Sequence, residues 1–203
     1  KLSKININKL TGQALLTYEI FSRDLALAVE GDKFLDHLLP IDQMGGAHNT
    51  FAGLGSGQSA QPFTSAQDFK DFTLRAEGFV IWLKSVQASM KQGTEEGVVL
   101  PNVLALKLLP QFKAHVVTDH TKSVFWMPVA AMPETLTDSE QAKIKSDYQD
   151  MILNSLVPAY QEMVTFLEQD YLPKTRSSVG YSELPNGKAW YEYQIKTNTT
   201  LDL

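Results

Sequence analysis

Thr64–Met90 reads TSAQDFKDFTLRAEGFVIWLKSVQASM, and the spacing of its large apolar residues decides the fold. Phe69, Phe72, Ala76, Phe79, Leu83, Val86 and Met90 recur at steps of three and four, the period of one helix face. Thr64 and Gln67 stand three apart ahead of the run, the spacing of a capping box, in which each side chain satisfies an otherwise unpaired amide of the first turn. Gly93 closes the stretch. A seam this regular, about seven turns long, predicts a long helix packed antiparallel against a second one.

The natural partner lies downstream. Thr137 and Glu140 repeat the capping-box spacing, and Ile144, Tyr148, Met151, Ser155, Ala159, Met163 and Phe166 follow as a stripe. Tyr171-Leu172-Pro173 ends it, and Pro158 inside it predicts a bend. Between the two long helices, Pro101 suits the first position of a shorter one carrying Val103, Leu104, Leu106, Leu108 and Leu109. Pro110 is expected to kink or split that helix. Asp119–Pro133, with Pro128 and Pro133, reads as loop.

Upstream, Lys9–Glu30 reads as a helix whose core face is Leu10, Ala14, Tyr18, Phe21, Leu25 and Ala28, stopped by Gly31-Asp32. Residues 45–61 hold five glycines among Ser, Ala and Gln, and predict a flexible Gly-rich loop. Residues 179–203 form a turn-rich aromatic cassette: Gly180 and Leu184-Pro185-Asn186-Gly187 supply turns, then Trp190, Tyr191 and Tyr193 cluster. Ala189–Lys196 alternates like a strand yet also suits a helix; helix is favoured because no second strand is at hand to pair with it. The expected fold class is all-α, with long antiparallel helices in a bundle-like array joined by irregular Gly- and Pro-rich loops.

Composition narrows the function classes. A net charge of −5 with singly scattered Lys and Arg argues against nucleic acid, whose phosphates need clustered bases. With no cysteine, the 203-residue chain offers no disulfide, thiol nucleophile or Cys-based metal site. No apolar run approaches the roughly 20 residues of a membrane span. His37, His48, His115 and His120 show no helical zinc-protease spacing, so no metal ligand and no catalytic residue is assigned within the chain. No carboxylates form a tight acid–base pair, and Gly55-Ser56-Gly57 is no nucleophile elbow. The candidates for lining a cleft are His48, in the Gly-rich stretch, and Tyr181, Tyr191 and Tyr193, whose rings are apolar with polar tips. For each of these an ordinary structural role is the competing reading.

Several strings, in order, resemble a bacterial family of lipoprotein-like sequences, domain-of-unknown-function family 885. They are Leu39–Gly46 (LPIDQMGG), Pro62-Phe63-Thr64 leading into Asp68-Phe69, Tyr171-Leu172-Pro173 with Arg176, and Gly180–Gly187 (GYSELPNG) running through Trp190-Tyr191 to Thr199-Thr200. The resemblance implies a helical fold akin to zinc metallopeptidases, with a His-Glu metal motif beyond Leu203. On that expectation the chain is one helical segment of a larger envelope or periplasmic protein, cut at both ends and anchored by lipid through a missing N-terminus. It would contribute to a peptide cleft, Arg176 included, and meet the missing C-terminal part, while zinc belongs to the parent and no cofactor to this segment. Two alternatives stay open: a non-enzymatic binding or structural lipoprotein module, and an independent helical interaction domain.

Overall fold

Ser65, one residue later than the spacing suggested, caps the long helix. In the computed structural model, which describes residues 2–199 and 201, the Ser65 hydroxyl accepts from the Asp68 amide at 3.3 Å. The Asp68 carboxylate accepts from the amides of Ser65 and Thr64 and from the Thr64 hydroxyl. Those donors hold the Asp68 carboxyl below its usual pKa, the Thr64 amide most of all. Gln67 instead donates to Asp71 on the outer face.

Along the chain run α1 (Gly12–Gly31), α2 (Ala47–Gly55), α3 (Ala66–Glu96), α4 (Asn102–Lys113), α5 (Met127–Ala130), α6 (Asp138–Asp150), α7 (Val157–Phe166) and α8 (Gly187–Asn198). No strand occurs among the described residues, so the fold is all-α. None of their helices is long and apolar enough to cross a membrane. Thr200, the second residue of the Thr pair, and the final two residues of the cassette lie outside the described residues. The chain divides into two units, Lys1–Asp36 with Gly180–Leu203 and His37–Val179, although no shift in composition marks the boundary.

The His37–Val179 unit holds the main core. All seven seam residues of α3 are buried. The helix does not stop at Gly93; it ends at Gly97, whose φ of 73° is the left-handed conformation glycine adopts without strain. Gly93 serves closeness instead, since a Cβ there would lie 2.5 Å from the Val98 carbonyl oxygen.

Helix direction departs from the expectation. Phe69 packs on Tyr148, Phe79 on Tyr160, and Lys174 donates to Thr94, so positions advance together and α3 runs parallel to α6–α7. The antiparallel member is α4: near its start the Leu100 amide donates to the Tyr171 hydroxyl, and near its end Phe112 lies 6.0 Å from Tyr160. The order is thus up, down, up, with residues 114–137 carrying the chain back. Periodicity identifies which face is buried but not which way the neighbour runs.

Two prolines are absorbed without breaking helices. α4 continues through Pro110 to Lys113; the lost amide would have served Leu106, an exposed residue. Before Pro158 the chain widens into a π-helical segment, Met151–Leu156, where the Val157 amide reaches back five residues to the Ile152 carbonyl. A second π segment, Leu167–Tyr171, closes the long helix. The 119–133 stretch read as loop is built from short 3-10 turns and α5, which bury Phe125 and Val129.

The Gly-rich stretch at 45–61 is also corrected, because residues 47–55 form a helix. Phe51 anchors it, stacked 3.9 Å from Phe79 and 5.3 Å from Phe72. Burying one such ring is worth about 1.5–3 kcal/mol, which outweighs the low helix propensity of the glycines around it.

In the other unit α1 packs with α8, the helix favoured over a strand for Ala189–Lys196. Phe34 stacks on buried Trp190 at 5.7 Å, and the Tyr193 hydroxyl donates to the Leu27 carbonyl at 3.0 Å. Lys196 pairs with Glu30 at 2.9 Å. The expected core face of α1 is not the buried one. Leu27 is its buried residue, whereas Phe21 is 56% and Leu25 45% exposed, and Ala14 and Ala28 are exposed beside them.

Candidate functional site

The start of α2 and the end of α4 bring polar groups into the centre of the His37–Val179 unit. His48, in the first turn of α2, is buried and stacks on Phe112 at 4.8 Å. Its Nε2 lies 3.0 Å from Gln111 Oε1, while Gln111 Nε2 donates to the Gln43 carbonyl at 2.9 Å. That commitment turns the oxygen of Gln111 toward the imidazole, so the proton belongs on Nε2 and Nδ1 is left as an acceptor. Nδ1 is buried without a hydrogen-bonding partner among the described residues, as are the Tyr160 hydroxyl and Gln43 Oε1.

His115, just past α4, joins from the other side. Its ring lies 4.6 Å from Tyr160 and 5.6 Å from Phe125. Burial pushes its pKa down to about 4, with His48 acting in the same direction. Burial also lowers that of His48, against the opposing effects of the Gln111 hydrogen bond and Asp42. Burial raises the Tyr160 hydroxyl above the usual phenol range. Two neutral imidazoles and a neutral phenol therefore share one aromatic cluster. Their ready chemistry is proton uptake in acid. Among the described residues, no three His, Asp or Glu side chains are grouped to hold a metal ion.

The sequence candidates do not form one constellation. His48 lies by the end of α4, while Arg176 lies by its start, about 15 Å of helix away. Arg176 fastens the chain there: its Nε donates to the Val99 carbonyl at 3.1 Å, and its backbone pairs with Leu100 and Asn102. Beside it, burial raises the Tyr171 hydroxyl to about 12, partly offset by the Leu100 amide and the Arg176 charge.

Tyr181, Tyr191 and Tyr193 belong to the other unit. Tyr181 meets Trp190 edge to face at 5.4 Å, Tyr193 is tied to Leu27, and Tyr191 is exposed. Of the three, Tyr191 has a ring available to a partner.

His115, Gln111 and Tyr160 were not singled out as site residues from the sequence. Gln111 and His115 stand four apart, a same-face spacing that would have linked them. Tyr160 lies one position off the stripe, displaced by the π segment before it.

The family model described as bacterial protein of unknown function (DUF885) matches residues 1–203, and the chain belongs to that family. No curated protein matches it, and no solved structure does.

Proposed function

We propose that this chain is a non-catalytic helical portion of a zinc-metallopeptidase-like envelope protein, lining one side of a peptide cleft. The metal and general base would come from another part of the polypeptide. The family membership supports the reading through the resemblance given above; the observation that carries it is the uncovered face of α1. Ala14, Phe21, Leu25, Ala28 and Val29 form an exposed band without a charged residue on it. Glu19, Arg23 and Glu30 lie on the other side of the helix, and Asp24, three residues after Phe21 and four before Ala28, borders the band. An apolar helix face of this kind is half of an interface. The exposed ring of Tyr191 suits the rim of such a cleft, being apolar with a polar tip. Envelope location and a lipid anchor follow from the same resemblance and are part of the proposal.

The test uses the full natural polypeptide with zinc supplied. Peptide hydrolysis is expected, with Tyr191→Phe raising KM while melting temperature is unchanged. A parent that cleaves no peptide sinks the peptidase reading. A second reading, an independent helical interaction domain, is favoured by the open groove between α3 and α6–α7.

A further inference from the structure

The parallel pair α3 and α6–α7, whose later half packs on α4, leaves a row of openings between its two walls, running from Ala66 to Asp170. One end, an opening of about 390 Å³, has an apolar floor of Phe69, Ile144 and Tyr148. Leu74 and Ile81, two turns apart on α3, stand on its rim and are 54% and 70% exposed. At the centre the π segment and Pro158 shape the opposite wall, where Ser155 and Ala159 take the places of larger stripe residues and leave room.

Charge decides what suits this groove. Six carboxylates line it, Glu77, Glu140, Asp147, Asp150, Glu162 and Asp170, against three ammonium groups. One of the three, Lys143, is already paired with Asp147 at 2.8 Å. The walls also run in one direction, so their helix dipoles add. An occupant helix running the opposite way complements both, as α4 already does for α7.

We propose that the groove between α3 and α6–α7 binds a basic amphipathic helix, apolar face inward and antiparallel to both walls. The Ala66–Gln87 wall is roughly 33 Å long, enough for about 20 residues of helix. Leu74 and Ile81 take the apolar face, and Glu77, Asp150 and Glu162 the basic flanks. This inference stands apart from the peptidase reading, since it needs no metal and no cleavage.

The probe is a fluorescent helical peptide of about 20 residues with Lys on one face and Leu on the other. Its partner in the assay replaces every Lys by Glu. Fluorescence anisotropy against the whole chain should show saturable binding of the Lys peptide that weakens as salt rises. Ile81→Asp, and separately the pair Glu77→Lys with Asp150→Lys, should each weaken it by about tenfold or more. Both changes lie on exposed residues, so melting temperature should hold. Equal binding of the Glu peptide, variants that bind like wild type, or no binding below about 1 mM would each overturn the proposal. So would a dimer of the chain that Ile81→Asp dissolves, because the groove would then take a second copy.

Discussion

α3 and α1 carry the same kind of apolar stripe and meet opposite fates. Phe79 sits in the seam of α3 at 6% exposure, enclosed by Phe51, Trp82 and Tyr160. Phe21 sits in the equivalent seam of α1 at 56% exposure. A three–four rhythm shows that a face is built for a neighbour; it does not say whether the neighbour is within the same stretch of chain. α3 finds its neighbours within residues 37–179, while α1 buries a different face against α8 and leaves the stripe open.

The contrast breaks or holds most directly on two substitutions. Phe79→Ala should cost about 3–5 kcal/mol in denaturant unfolding, because a ring cavity opens among fixed neighbours. Phe21→Ala should stay within about 0.5 kcal/mol, as surface changes do. Equal losses would mean the α1 face is covered in solution.

Acid separates the two units next. All four histidines lie within residues 37–179. His115 has a folded-state pKa of about 4, below its free value of 6.5, so folding favours the neutral ring. Its contribution is complete above pH 6.5 and is lost as pH falls from there toward 4. The loss is on the order of 2–3 kcal/mol, with His48 acting in the same direction. Amide protection factors, taken relative to the intrinsic exchange rate at each pH, should fall in α2 and α4 over that window and hold in α1 and α8. His115→Phe should flatten the profile; a profile that keeps its slope would remove His115 as the cause.

The smallest effect tests the corrected cap. Ser65→Ala should cost about 1 kcal/mol, whereas Gln67→Ala should stay within about 0.5 kcal/mol. A reversal in thermal unfolding would restore the earlier position of the cap.

These comparisons also show what was legible in the residues. The seams of α3 and the later long helix were readable because periodicity is local, as was the Thr137–Glu140 cap. The cap at Ser65 was displaced by one residue because Thr64 and Ser65 are both capping types, with Gln67 and Asp68 both suitably spaced. Helix α2 stayed hidden because its one strong anchor, Phe51, draws its stabilisation from rings far along the chain. The His48–Gln111–Tyr160–His115 cluster depends on the direction of α4, which no local spacing encodes. The proposed cleft residues mixed two units for the same reason.

The wide turn at Met151–Leu156 acts as a phase slip. Each extra residue rotates the following face by about 100°, so the side chains after it do not continue the bearing of those before. Tyr148, ahead of the slip, is directed to Phe69 and Phe72 of α3. Tyr160, behind it, reaches Phe112 of α4 as well as Phe79 of α3. One continuous rod thereby serves two neighbours in succession, and removing a single residue from the slip would swing every later side chain off its mark.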